Sequence, residues 1–115
     1  FGQRRERGRI QTQRSAIRRV DQQAIAQADR IAAEVRDAES AIARAYERFQ
    51  TLEQEVALAV QLEESERRRF ELGEGTLLIV NLREQSTVEA RLRLVDAKLD
   101  YQRALVQLRY ATGEI

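Results

Sequence analysis

Two apolar stripes mirror each other along this chain. The first runs Ala38, Ile42, Ala45, Phe49, Leu52, Val56 and Ala59. The second runs Ala90, Leu94, Ala97, Tyr101, Ala104, Leu108 and Ala111. Both advance by alternating steps of four and three, the stride of a seam between packed helices. Taken in opposite directions, the numbers of facing residues add to 149 or 150 at every step. A constant total means two antiparallel helices folded about one point, which is Glu74–Gly75. The pattern predicts an all-α fold, a long antiparallel helical hairpin of coiled-coil type. Its seam is expected to centre on Ile42, Phe49, Leu52 and Val56 against Leu94, Tyr101 and Leu108. In this register Glu66 is expected to meet Arg83.

The turn chemistry agrees with the fold point. Gly73 suits the position just past a helix end, where a left-handed backbone carries little steric penalty only for glycine. Thr76 suits the N-cap of the next helix, where its hydroxyl accepts from an otherwise unpaired backbone N–H. The expected organisation is a basic lead-in over 1–9, a long helix over 10–72, a tip turn over 73–76 and a second helix over 77–112. Gly113 is its expected stop. An apolar residue at every seventh position, Ile10, Ile17, Ala24, Ile31 and Ala38 onward, carries the first helix back to its start. At ~1.5 Å per residue the arms would be roughly 95 and 50 Å long. Ala28, Ile31 and Val35 would then need cover from elsewhere.

The second helix carries more apolar surface than one partner can bury. Val88, Leu92, Val95, Leu99 and Val106 form another stripe. At about 100° per residue it falls nearly opposite the Leu94–Tyr101–Leu108 stripe. A helix apolar on two opposite faces fits between neighbours, so the hairpin reads as a stave in a larger bundle or barrel of helices.

Composition narrows the chemistry. The chain has 115 residues and a net charge of +1, with 34% charged and 5% aromatic residues, which is lean for a globular core. It has no Cys and no His, which excludes disulfides, thiolate nucleophiles and histidine-based catalysis or metal binding. No catalytic residue, metal or cofactor is expected, and an enzyme is not expected. There is no Met either, so the chain is expected to be a piece or processed product of a longer one. Pro is absent, and all five Gly lie near an end or at the tip, so nothing interrupts the helices. The longest aliphatic run, Leu77-Leu78-Ile79-Val80, is far short of the ~20 residues that span a bilayer as a helix.

The tip reads Phe70-Glu71-Leu72-Gly73-Glu74-Gly75-Thr76-Leu77-Leu78-Ile79-Val80. Four consecutive aliphatics at a distal turn leave an apolar patch at the end of a projection, a candidate docking surface. An aromatic, two residues, Gly, two residues, Thr and an apolar run resembles the tip of TolC-like outer-membrane efflux channels. Phe70, Gly73, Thr76, Leu77, Leu78 and Val80 carry that resemblance. Tyr101, Ala104, Leu108, Ala111 and Gly113 resemble the close of each repeat in the family, and Ile31–Ala38 resembles its long helix. The resemblance implies a homotrimer in which an outer-membrane β-barrel continues into a periplasmic α-barrel built of such hairpins. It implies that the tip, here Phe70, Gly73, Glu74, Gly75, Thr76, Leu77 and Leu78, docks a periplasmic adaptor that in turn serves an inner-membrane pump. The segment would lie in the periplasm, and the membrane would be met only by parts outside this chain. The family usually carries Asp where this chain has Ile79. The acidic, cation-selecting aperture that Asp lines is therefore not implied at that position, and Asn81, Glu74 and Glu84 are the nearby polar residues.

Two charged clusters admit other readings. Arg4, Arg5, Arg7, Arg9, Arg14, Arg18 and Arg19 stand against Glu6 and Asp21, and a basic helix leading into a three-four stripe resembles the basic-region zippers. The base-reading pattern of that family is absent, so nucleic acid is not the expected partner and a solvated charged face is. Glu63, Glu64 and Glu66 lack the Glu-x-x-His spacing of di-iron bundles and read as a solvated face near the tip. The sequence therefore points to a stave of an export duct. A freestanding coiled-coil module is the alternative, and a basic helical nucleic-acid binder comes after that.

Overall fold

A computed structural model describes residues 2–114 and contains two helices, α1 over Gly2–Glu71 and α2 over Leu77–Ala111. The chain divides into two units, residues 1–37 and 38–115. α1 supplies the described part of the first unit and one arm of the second; α2 supplies the other arm.

Within the first unit, residues 2–32 are helical and exposed, and among the described residues only Ala33 and Val35 are half-buried. Ala28 and Ile31 remain exposed. Helix begins at Gly2, so described residues 2–9 of the expected lead-in are helical. The reason is local. Arginine is a good helix former, and one glycine in the interior costs only about 1 kcal/mol relative to alanine. Thr12 also donates its hydroxyl to the Gly8 carbonyl at 2.8 Å.

The second unit is the antiparallel hairpin. Ala38 and Leu52 of α1 are buried, as are Val80, Ala90, Ala97 and Ala104 of α2. Ile42, Ala45, Phe49, Val56, Ala59, Leu94, Tyr101, Leu108 and Ala111 are half-buried beside them. Every apolar position of the two mirrored stripes is thus among the less exposed residues. On α2 the most enclosed are alanines: Ala97 retains 1% of its surface and Ala90 2%. Small side chains let two helix backbones approach closely, and the larger Leu94, Tyr101 and Leu108 cover the flanks. Among the described residues no large side chain is fully buried, so the core is a strip one residue wide.

Flanking polar contacts agree with this register. Arg48 pairs with Asp100 at 2.6 Å, Arg93 with Glu55 at 4.0 Å and Arg67 with Glu84 at 3.0 Å. Tyr46 and Tyr101 rings lie 5.7 Å apart, and the Lys98 ammonium sits 5.9 Å from the Phe49 ring centre. The Thr87 hydroxyl donates to the Ala59 carbonyl at 3.3 Å, which links the helices directly. The midpoints of these pairs fall between residues 73 and 76, where the stripes placed the fold.

Candidate functional site

The tip is built by two backbone devices. Gly73 has φ +80°, and its N–H donates to the Phe70 carbonyl at 2.9 Å. The Glu74 N–H donates to the Arg69 carbonyl, also at 2.9 Å. This pair of bonds is the Schellman closure that a glycine just past the helix end permits. α2 then starts at its N-cap Thr76, in extended backbone, whose hydroxyl accepts from the Ile79 N–H at 3.3 Å. The same closure ends α2 at Gly113. Gly75 is needed for space instead. A Cβ there would lie 3.3 Å from the Phe70 backbone nitrogen and 3.3 Å from Glu66 Oε1.

The side chains of the tip divide cleanly. Val80 is buried and anchors the start of α2. Phe70, Leu77, Leu78 and Ile79 are exposed, with Leu78 at 68%. Gly73, Glu74 and Thr76 are exposed, and Gly75 is half-buried. Leu72 is more exposed still, at 76%, and Leu82 also belongs to the patch. Neither stands out in the sequence. Leu72 occupies the residue just before the turn glycine, outside the three-four stride, and Leu82 falls between the two apolar stripes of α2.

Around this patch the charges pair differently from the sequence expectation. Glu66 does not form an ion pair with Arg83. It is buried at 7%, and its Oε2 lies 3.6 Å from Arg69 on the same helix. Its Oε1 is enclosed and has no hydrogen-bond partner in the protein. The crossing pair is Arg67 with Glu84, one residue outward on each helix, where long side chains reach around the flank. The hydrogen bond to Glu84 holds the Arg67 guanidinium above its ordinary pKa, against desolvation and with help from the charges of Glu63 and Glu71. Thr87, the other buried polar side chain, is satisfied by donating to the Arg83 and Ala59 carbonyls. The seam near the tip therefore buries two polar side chains beside the apolar Val80.

The second candidate surface is the outer stripe of α2. Val88, Leu92, Val95, Leu99 and Val106 are all exposed, with Leu92 at 61%. Leu99 and Val106, with Gln102, Arg103 and Gln107, line an open groove of about 400 Å³. Among the described residues no group of three or more His, Cys, Asp or Glu is placed to hold a metal ion, and no helix is long and apolar enough to cross a membrane. No protein-family model, curated protein or solved structure matches the chain.

Proposed function

We propose that this chain is a periplasmic stave of a TolC-like outer-membrane efflux channel, part of an export duct whose tip docks a periplasmic adaptor. The observation that supports this most is the two-faced character of α2. One face is covered by α1 through Ala90, Ala97 and Ala104, and the opposite face presents Val88, Leu92, Val95, Leu99 and Val106 to solvent. A two-helix coiled coil requires only one such face, whereas a stave between neighbours requires both. The exposed apolar tip on a glycine-closed turn gives the second support, since it leaves Leu77 and Leu78 free for a partner.

On this reading the chain performs no bond chemistry. Homotrimeric assembly would bring staves edge to edge around a water-filled passage, and tips engaged by the adaptor would couple the duct to an inner-membrane pump. The test uses the native full-length protein. Cell fractionation should recover it in the outer membrane, and cross-linking should give a trimer. Leu77→Asp should abolish export and adaptor cross-linking while leaving the trimer intact. Because Leu77 is 57% exposed, that change should alter stability by no more than about 0.5 kcal/mol. Recovery of the protein in the cytosol, or unchanged export and cross-linking by the variant, would overturn the reading and favour a freestanding coiled-coil module.

A further inference from the structure

We propose that residues 4–21 form a docking face for an anionic phospholipid bilayer. The segment holds seven arginines against Glu6 and Asp21, a net of +5 in a chain whose total is +1. It is helical throughout and fully exposed. Among the described residues none of the seven arginines has a carboxylate within ion-pair distance, whereas the six ion pairs all lie in the second unit. The charge is concentrated and uncompensated.

Its arrangement on the helix indicates the kind of partner. Steps of three, four and three place Arg7, Ile10, Arg14 and Ile17 on one side of the helix, with Asp21 a further step of four along; Arg4 and Arg18 lie beside Arg7 and Arg14, and Arg5, Arg9 and Arg19 lie on the other side. Ile10 is 48% exposed and Ile17 61%. Arg4, Arg7, Arg14 and Arg18 therefore gather on one side of the helix, with Ile10 and Ile17 along its edge. A bilayer interface takes both kinds of side chain, the isoleucines at the acyl boundary and the guanidinium groups at the lipid phosphates. A nucleic-acid duplex takes the arginines alone and would leave the isoleucines in water.

This surface lies outside the seam, the tip and the outer stripe, and it does not rest on the efflux reading, which by itself implies membrane contact only through parts outside this chain. The test is flotation of the whole chain with vesicles. It should bind vesicles of phosphatidylcholine containing phosphatidylglycerol, fail to bind phosphatidylcholine alone, and be released by salt. Each arginine near an anionic surface contributes about a fivefold gain in partition, so Arg7→Gln with Arg14→Gln should lower binding roughly thirtyfold. Ile10→Ser with Ile17→Ser should also lower it several-fold, and Arg91→Gln with Arg109→Gln on α2 should leave it unchanged. Retained helicity by circular dichroism excludes unfolding as the cause. The proposal falls if anionic vesicles are not bound at low salt. It falls equally if the isoleucine variant binds normally and duplex DNA displaces the vesicles, which would assign the face to nucleic acid. Pairing of two chains through Ile10 and Ile17 with no vesicle binding would assign it to a second copy.

Discussion

Gly73 and Gly75 serve the same turn for different reasons. Gly73 holds a left-handed backbone with open space around it, so its cost on substitution is conformational. Gly73→Ala should lower the thermal stability of the hairpin by about 1–2 kcal/mol, and Gly73→Asn by less, since asparagine tolerates that region better. Gly75 is crowded by the backbone of Phe70, which cannot step aside. Glu66 is the other residue whose role is local. Its carboxylate is buried beside Gly75, with one oxygen lacking a partner in the protein and the other meeting a largely exposed Arg69. Burying a half-satisfied charge is unfavourable, and an ion pair with an exposed guanidinium recovers little of that. Glu66→Gln should therefore raise the melting temperature of the hairpin; a lower one would show that the Arg69 pair outweighs desolvation.

At the scale of the element, α2 is shaped by the width of the residues on its seam. Alanines at 90, 97 and 104 allow close approach of α1, and there is no room for anything larger at Ala97, where 1% of the surface remains. Ala97→Leu should force the helices apart and cost about 1–3 kcal/mol, read as a lower denaturation midpoint. The seam positions were legible because buried residues recur at the helix period whatever their size. The pairing of Arg67 with Glu84 was not legible. The period reports which face a residue occupies, but a long charged side chain leaves that face and reaches around the flank. The tip was half legible: glycine and threonine announce the closure of one helix and the cap of the next, whereas the exposure of Leu72 depends on how the turn lies.

For the molecule as a whole, a seam one residue wide makes exposed apolar surface available for assembly. Fully burying one leucine or valine is worth ~1.5–3 kcal/mol, so the outer stripe of α2 favours association wherever a second apolar surface can cover it. The chain should self-associate at moderate concentration by sedimentation. Leu92→Glu with Leu99→Glu should shift it toward monomer without loss of helicity, because both residues are exposed and lie off the seam. A stable monomer at high concentration would refute that expectation.

The sequence by itself determined the two helices, their antiparallel pairing, the fold point and the residues that close and cap the turn. These follow from short-range physics: helix period, glycine's access to positive φ, threonine's capping hydroxyl and the absence of proline. Tertiary structure decided what depends on distance through space. It placed Arg67 rather than Glu66 across the gap, buried Glu66 behind Gly75 and brought the Tyr46 ring to the Tyr101 ring. Side-chain length, rotamer and the closeness of two backbones settle such contacts, and none of these is written in the spacing of apolar residues.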